Sequence, residues 1–256
     1  MLQSTFVLLK GVGEYTERRW WEDGIPDWRT FLDRPAPHGL SATRKALYDR
    51  DIAAALHHLT QGQARYFARC LKPRDHWRLF DTFKHKAVYL DIETTGEPPA
   101  TGDVTVVGLY AQGRLTQLVR GDSLTEARLN QALAPYDLIV TFFGSVFDLP
   151  YLRAKFPGLA LDHPHMDLCF AARRLGYQGG LKPIEAQMGL DREADVQGLD
   201  GWEAVRLWNE WRRGRAASLE RLLRYNAADV RNLEPLAERF YDRLVARCRT
   251  GGVSRA

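Results

Sequence analysis

The sequence predicts an α/β domain built on a mixed sheet flanked by helices, preceded by a helical region over residues 1–83. Three observations carry this reading. From Lys86 onward the pattern reads as strands, with Gln112-Gly113-Arg114 as a tight-turn signal between two of them. Asp137 to Phe142 reads as a short, apolar strand of the kind buried inside a sheet. Beyond Asp167 the chain reads as helix to about Val245.

In order, Phe6-Val7-Leu8-Leu9 opens the helical region, followed by Lys10-Gly11-Val12-Gly13 and a polar, helix-compatible stretch through Glu22. A Gly-hydrophobic-Gly turn between two short helices exposes backbone N–H groups that can hold a phosphate. Gly11-Val12-Gly13 therefore reads equally as such an element, resembling the helix-hairpin-helix of non-specific DNA-binding proteins, or as a structural turn. Glu17 stands where that motif carries a small residue. Trp20, Trp21 and Trp28 read as packing residues. Pro26, Pro35 and Pro37 separate this segment from a helix over 41–59, capped by Ser41 and carrying Tyr48, Ile52, Ala55, Leu56 and Leu59 at the helical period. A second helix is expected from Gln63 to Leu71.

The main domain, expected over residues 84–250, begins with the strand Val88-Tyr89-Leu90-Asp91-Ile92-Glu93-Thr94-Thr95-Gly96. Asp103 to Ala111 and Leu115 to Val119 add two strands, making an antiparallel meander. Ser123 is the expected cap of a helix through Leu133. After the apolar strand, Gly144 to Leu152 reads as a turn passing into a helix, and His165-Met166-Asp167 fits a further short strand. In the last helical stretch Leu222, Leu223, Val230, Leu233 and Phe240 form a buried stripe, and Pro235 is expected to kink or split it.

Composition bounds the function. Hydrophobic residues make up 45% and charged residues 27% of 256 residues, the balance of a globular protein with a substantial core. Cys70, Cys169 and Cys248 form no CxxC pair, which argues against a zinc knuckle or a disulfide framework. With no apolar run of membrane-spanning length and no signal-peptide layout, the expected location is cytoplasmic. The net charge of +4 is compatible with a polyanionic partner.

Alternate residues of a strand share a face, so Asp91 and Glu93 point the same way at the strand's end. Carboxylates held that close repel unless a cation neutralises them, and oxygen ligands suit Mg2+ or Mn2+. Asp148 begins a helix beyond the buried strand. Tyr225 and Asp229, four residues apart, share a face of the last helix. Each acid alone has an ordinary structural role; together on these elements they point to one site.

The order Asp-x-Glu-Thr-Thr-Gly, Phe-Asp-x-Pro-x-Leu and Tyr-x-x-x-Asp resembles the three exonuclease motifs of the DEDD superfamily, in its DEDDy subgroup. Over nearly the whole chain the sequence is similar to YprB-like ribonuclease-H-like proteins. His165-Met166-Asp167-Leu168, Gly179-Gly180-Leu181-Lys182, Gly201-Trp202-Glu203-Ala204-Val205 and the Gly11-Val12-Gly13 region contribute to that likeness. The sequence departs at Phe143-Gly144, where the family commonly has Asn-Gly; no metal ligand is lost.

The resemblance implies a ribonuclease-H-like fold and a 3′-5′ exonuclease acting on DNA or RNA with a free 3′ end. It implies that Asp91, Glu93, Asp148 and Asp229 hold two divalent ions, Mg2+ or Mn2+, and that Tyr225 orients the attacking water. A tyrosine with a pKa of about 10 is a poor base, so positioning is its expected role. Thr94 and Thr95 are expected near the terminal nucleotide, Lys182 at a phosphate, and Asp167 behind the other acids or as a cap. Two alternatives stand beside this reading: a catalytically weak nucleic-acid-binding protein, and a structure-selective endonuclease on the same fold.

Overall fold

The computed structural model describes residues 1–192 and 198–250. Its N-terminal helices are α1 (Glu14–Glu22), α2 (Trp28–Asp33), α3 (Ala42–Thr60) and α4 (Ala64–Cys70), then a 3-10 segment Pro73–Leu79 and α5 (Phe80–Phe83). Ser41 Oγ accepts from the amide of Arg44, the expected cap of α3. Trp20 and Trp28 are buried in the core, and the half-buried Trp21 donates to the Ser4 carbonyl.

Only one of the two helices expected around Gly11-Val12-Gly13 is present. The chain before it forms a single 3-10 turn, Leu2–Ser4, and then irregular turns. Glu17 gives the physical reason. Its buried Oε2 accepts from Thr5 Oγ1 at 2.7 Å and from the amides of Phe6 at 2.5 Å and Val7 at 3.2 Å, while Oε1 pairs with the buried Arg78 at 2.7 Å. A carboxylate thus takes backbone donors that would otherwise favour a helix.

The sheet comprises β1 (Ala87–Thr94), β2 (Val104–Ala111), β3 (Arg114–Val119), β4 (Leu138–Thr141) and β5 (His165–Asp167), in the order β3-β2-β1-β4-β5. β3, β2 and β1 pair antiparallel, whereas β1, β4 and β5 run parallel. Gln112 and Gly113 both have positive φ, the backbone of a two-residue hairpin whose twist matches its strands. α6 (Glu126–Leu133) follows β3, but its cap is Thr125, which accepts from the Arg128 amide. Ser123 instead accepts from the Val119 amide and closes the turn out of β3.

α7 (Asp148–Lys155) lies between β4 and β5. The chain continues through α8 (Leu168–Leu175), α9 (Leu181–Gln187), α10 (Gly201–Arg212) and α11 (Ala216–Thr250). Pro235 does not split α11. A proline inside a helix costs about 3 kcal/mol, and burial of Leu233, Leu236, Ala237 and Phe240 around it offsets that cost. Leu222, Val230, Leu233 and Phe240 are buried as expected, with Leu223 half-buried beside them.

The alternation of β1 sorts the core. Val88, Leu90 and Ile92 pack with Leu129 and Leu133 of α6 and Leu149 and Leu152 of α7. Ala87 and Tyr89 join the cluster containing Leu236 and Phe240 of α11, which runs on to Phe6, Trp28 and Trp77 of the N-terminal region. Asp91 and Glu93 follow Ala87 and Tyr89 at strand period, so they face α11. Among the described residues, no helix is long and apolar enough to cross a membrane.

Candidate active site

The carboxyl ends of the parallel strands β1, β4 and β5 share one edge of the sheet, where α/β folds bind ligands. At this edge one carboxylate oxygen from each of Asp91, Glu93 and Asp229 gathers within 4.8 Å. Asp148, which opens α7, stands outside that triplet. Its buried carboxylate accepts from the Ile92 amide at 3.1 Å, between Asp91 and Glu93 on the strand. The structure therefore brings three of the four predicted acids to a point and sets the fourth against the backbone of the same strand.

Two supports were not found by sequence reasoning. Asn226, fully buried next to Tyr225, donates from Nδ2 to Asp91 Oδ2 at 2.9 Å and accepts at Oδ1 from Gln117 Nε2 at 3.0 Å. Gln117 also donates to the Leu223 carbonyl at 2.8 Å. Gly108, the register partner of Asp91, makes this approach feasible, because a Cβ there would lie 2.2 Å from Asn226 Oδ1. The available signal was a glycine inside a β-branched strand, which marks a close approach.

The second support is Arg192. Its guanidinium forms a two-pronged pair with Glu185 at 2.6 and 2.8 Å and an ion pair with Asp229 at 2.5 Å. Asn232 donates to Glu185 at 3.0 Å, so the pair is tied to α11 one turn beyond Asp229. Arg192 lies outside regular structure, in a loop with no local pattern to reveal it.

Crowding these acids away from water raises their proton affinity. Asp91 and Glu93 are both pushed well above the usual carboxylate range, by desolvation first and then by the Asp229 charge. Asp148 is raised to about 7, again mainly by desolvation. Glu93 Oε1 is buried without a hydrogen-bond partner. A buried oxygen left unsatisfied among mutually repelling carboxylates is what a hard cation with oxygen ligands would relieve, so the donor set fits a divalent ion.

Tyr225 is buried, and desolvation followed by the Asp229 charge keeps its phenol protonated. Lys182 Nζ donates to Tyr225 Oη at 3.2 Å and sits 4.7 Å from the ring centroid. With a donor already occupying the oxygen, the phenolic proton is directed elsewhere. Thr94 Oγ1 accepts from the Gly96 amide, and Thr95 Oγ1 from the Asp103 amide, so both hydroxyls brace the loop after β1. Gly11 and Val12 line a separate concavity with Ser41 and Arg44 in the N-terminal region, and Gly13 caps α1 beside it.

Asp167 both caps α8 and holds the loop before Asp148. Its Oδ1 accepts from the amides of Cys169 and Phe143, and its Oδ2 from the amide and hydroxyl of Ser145. A concavity of about 720 Å3 adjoins this loop, lined by Arg74, Trp77, Ser145, Asp167, Phe170 and Arg174 among others.

The family model of the RNase_H superfamily matches residues 88–241, more than half of the chain. No curated protein sequence matches it. Among solved structures, the family B DNA polymerase of Pyrobaculum calidifontis superposes with a TM-score of 0.51 at 18% identity, covering 60% of this chain and 24% of the polymerase. The chain thus spans about a quarter of that polymerase's length. A nuclease in its apo form gives a TM-score of 0.48 at 21% identity, covering 71% of this chain and 81% of that one. Brucella melitensis NrnC bound to pGG gives 0.48 at 22%, covering 67% and 79%.

Proposed function

This chain belongs to the RNase_H superfamily, and from that premise we propose that it is a metal-dependent 3′-5′ exonuclease of the DEDDy subgroup. The observation that carries the reading is the convergence of Asp91, Glu93 and Asp229 within 4.8 Å, with Asp148, at the start of α7, accepting from the Ile92 amide of the strand that carries Asp91 and Glu93. Tyr225, four residues before Asp229, supports the choice of subgroup. Residues 84–250 form the catalytic unit and residues 1–83 an accessory region.

Asp91, Glu93, Asp148 and Asp229 would hold two divalent ions, Mg2+ or Mn2+. When bound, such ions supply an ionised water at neutral pH and offset the charge that develops on the leaving oxygen. The remaining work falls to the chain itself. Phosphoryl transfer asks mainly for position and charge neutralisation. Asn226 fixes one oxygen of Asp91, and Arg192 fixes one of Asp229, so their carboxylates need not reorganise when substrate arrives. The neutral Tyr225 hydroxyl, oriented by Lys182, offers its proton to the attacking water's lone pair and aligns it. Lys182 supplies positive charge for a substrate phosphate. The substrate is a nucleic acid presenting a 3′ end.

The test is incubation of the full chain with 5′-labelled single- and double-stranded DNA and RNA, with Mg2+, Mn2+ or a chelator, beside Asp91→Ala. A ladder shortening from the 3′ end that requires both metal and Asp91 is expected. Binding without metal-dependent cleavage of any substrate would sink the enzymatic reading, and internal cuts would replace exonuclease by endonuclease.

A further inference from the structure

Beside the carboxylates lies a surface that hydrolysis does not itself require. Phe143 and Phe170 are both exposed, and their rings lie nearly parallel, 28° apart, with centroids 6.3 Å from each other. The Arg173 guanidinium lies 5.8 Å from the Phe143 centroid and 5.3 Å from that of Phe170. No acid among the described residues pairs with Arg173, whereas its neighbour Arg174 is paired with Glu14 and Asp75. Val146 and Phe147, which directly precede Asp148, are also exposed.

Phe143 is held out by strain rather than left out by default. Its φ is +66°, in the left-handed region that a bulky side chain rarely adopts. The loop is locked there by Asp167, which accepts from the amides of Phe143 and Ser145, and by Gly144, whose missing Cβ would otherwise lie 2.2 Å from Thr141 Oγ1. Strain over-determined by its surroundings is characteristic of binding sites. The same loop leads directly into Asp148, and Phe170 lines the 720 Å3 concavity together with Ser145 and Asp167.

Two exposed π faces with a free cation over them match one kind of occupant. Unpaired nucleobases stack on aromatic rings irrespective of sequence, and an unpaired guanidinium complements their phosphates. A base-paired duplex keeps its base faces inside the stack and could not use such a surface. We propose that Phe143, Phe170 and Arg173 form a stacking platform for the unpaired bases of a single strand whose end is presented to the carboxylates. This rests on the nuclease reading above and narrows its substrate class to single strands.

The experiment separates the two. Fluorescence anisotropy of a labelled single strand is measured in chelator, where hydrolysis plays no part, beside a strand of equal length whose sugars carry no bases. The full chain, Phe170→Ala, Phe143→Asn and Phe170→Tyr are compared. Wild type is expected to bind the base-bearing strand more tightly. Phe170→Ala and Phe143→Asn should each lose about 5-fold or more on it, the effect of one stacked base, and nothing on the abasic strand. Phe170→Tyr, which keeps a ring, should retain affinity. Equal wild-type affinity for both strands, equal losses on both, or no binding to either would overturn the platform even if metal-dependent cleavage is found. Base-dependent binding that the variants abolish would uphold the platform even if no cleavage follows.

Discussion

The side-chain amide of Asn226 donates to Asp91 Oδ2 at 2.9 Å, across a gap that exists because residue 108 is glycine. An α11 residue that is not itself acidic thereby sets the orientation of a β1 carboxylate. Replacing Asn226 by Ala should weaken Mn2+ binding by roughly 10- to 100-fold, the usual effect of removing a ligand's hydrogen-bond partner. Gly108→Ala should do nearly the same without touching any acid, since its Cβ must displace Asn226. Isothermal titration with Mn2+ reads both; unchanged affinity in Gly108→Ala would show that the contact is incidental.

Asp148 leads to a pH prediction. An ordinary aspartate releases its proton near pH ~3.9, whereas burial raises Asp148 to about 7. The folded state therefore keeps a proton that the unfolded chain gives up between those values. This group's stabilisation is full at low pH, falls as pH rises toward 7, and is flat above. Half-buried His165, lowered to about 4 mainly by desolvation, acts in the opposite sense, losing stability as pH falls below its ordinary range. Comparing wild type with Asp148→Asn cancels the histidine. In metal-free buffer the variant should gain melting temperature over wild type as pH climbs from about 5 to about 7. A difference that does not change with pH would contradict the assignment.

Arg192 joins Glu185 to Asp229 with both partners buried. Arg192→Ala leaves two carboxylates without their cation, and breaking such a buried pair costs about 3–5 kcal/mol. Arg192→Lys retains the charge but loses the planar fork that serves Glu185 and Asp229 together, so it should recover only part. Urea unfolding measures the order, wild type above Lys above Ala. An Ala variant within about 0.5 kcal/mol of wild type would mean that the pair is not formed in solution.

What the sequence disclosed followed from how local each signal is. Asp91 with Glu93 on one strand, and Tyr225 with Asp229 on one helix, are fixed by the periods of their own elements, so their shared faces could be read directly. The mixed sheet followed from the meander and one buried apolar strand, whereas the order of the strands across it needed the structure. Three contacts escaped because they join distant parts of the chain through residues with no distinguishing pattern: Asn226 to Asp91, Arg192 to Asp229, and Arg78 to Glu17. Glu17 was visible as an oddity, and its meaning needed the turns that wrap it. Ser123 and Thr125 are both competent caps, so local preference could not choose between them. The offset of Asp148 toward the Ile92 amide was equally hidden, since spacing gives an element but not which atom a carboxylate meets.

Phe143 tests whether strain at the site's edge is maintained for binding. The DEDD-like pattern carries Asn at this place, and Asn tolerates a positive φ far better than Phe because its short polar side chain suits the left-handed region. Phe143→Asn should therefore raise stability by about 1 kcal/mol, because the exposed ring is removed and the amide bond to Asp167 is kept. Phe143→Gly relieves the same strain but frees the unfolded chain, so its gain should be smaller. Chemical unfolding reads these differences. The binding assay above should move the other way, with the stabilised variants holding base-bearing strands more weakly. A variant both more stable and equally tight in binding would leave the strain without a functional reason, whereas opposite signs would tie the left-handed turn directly to the ring it displays.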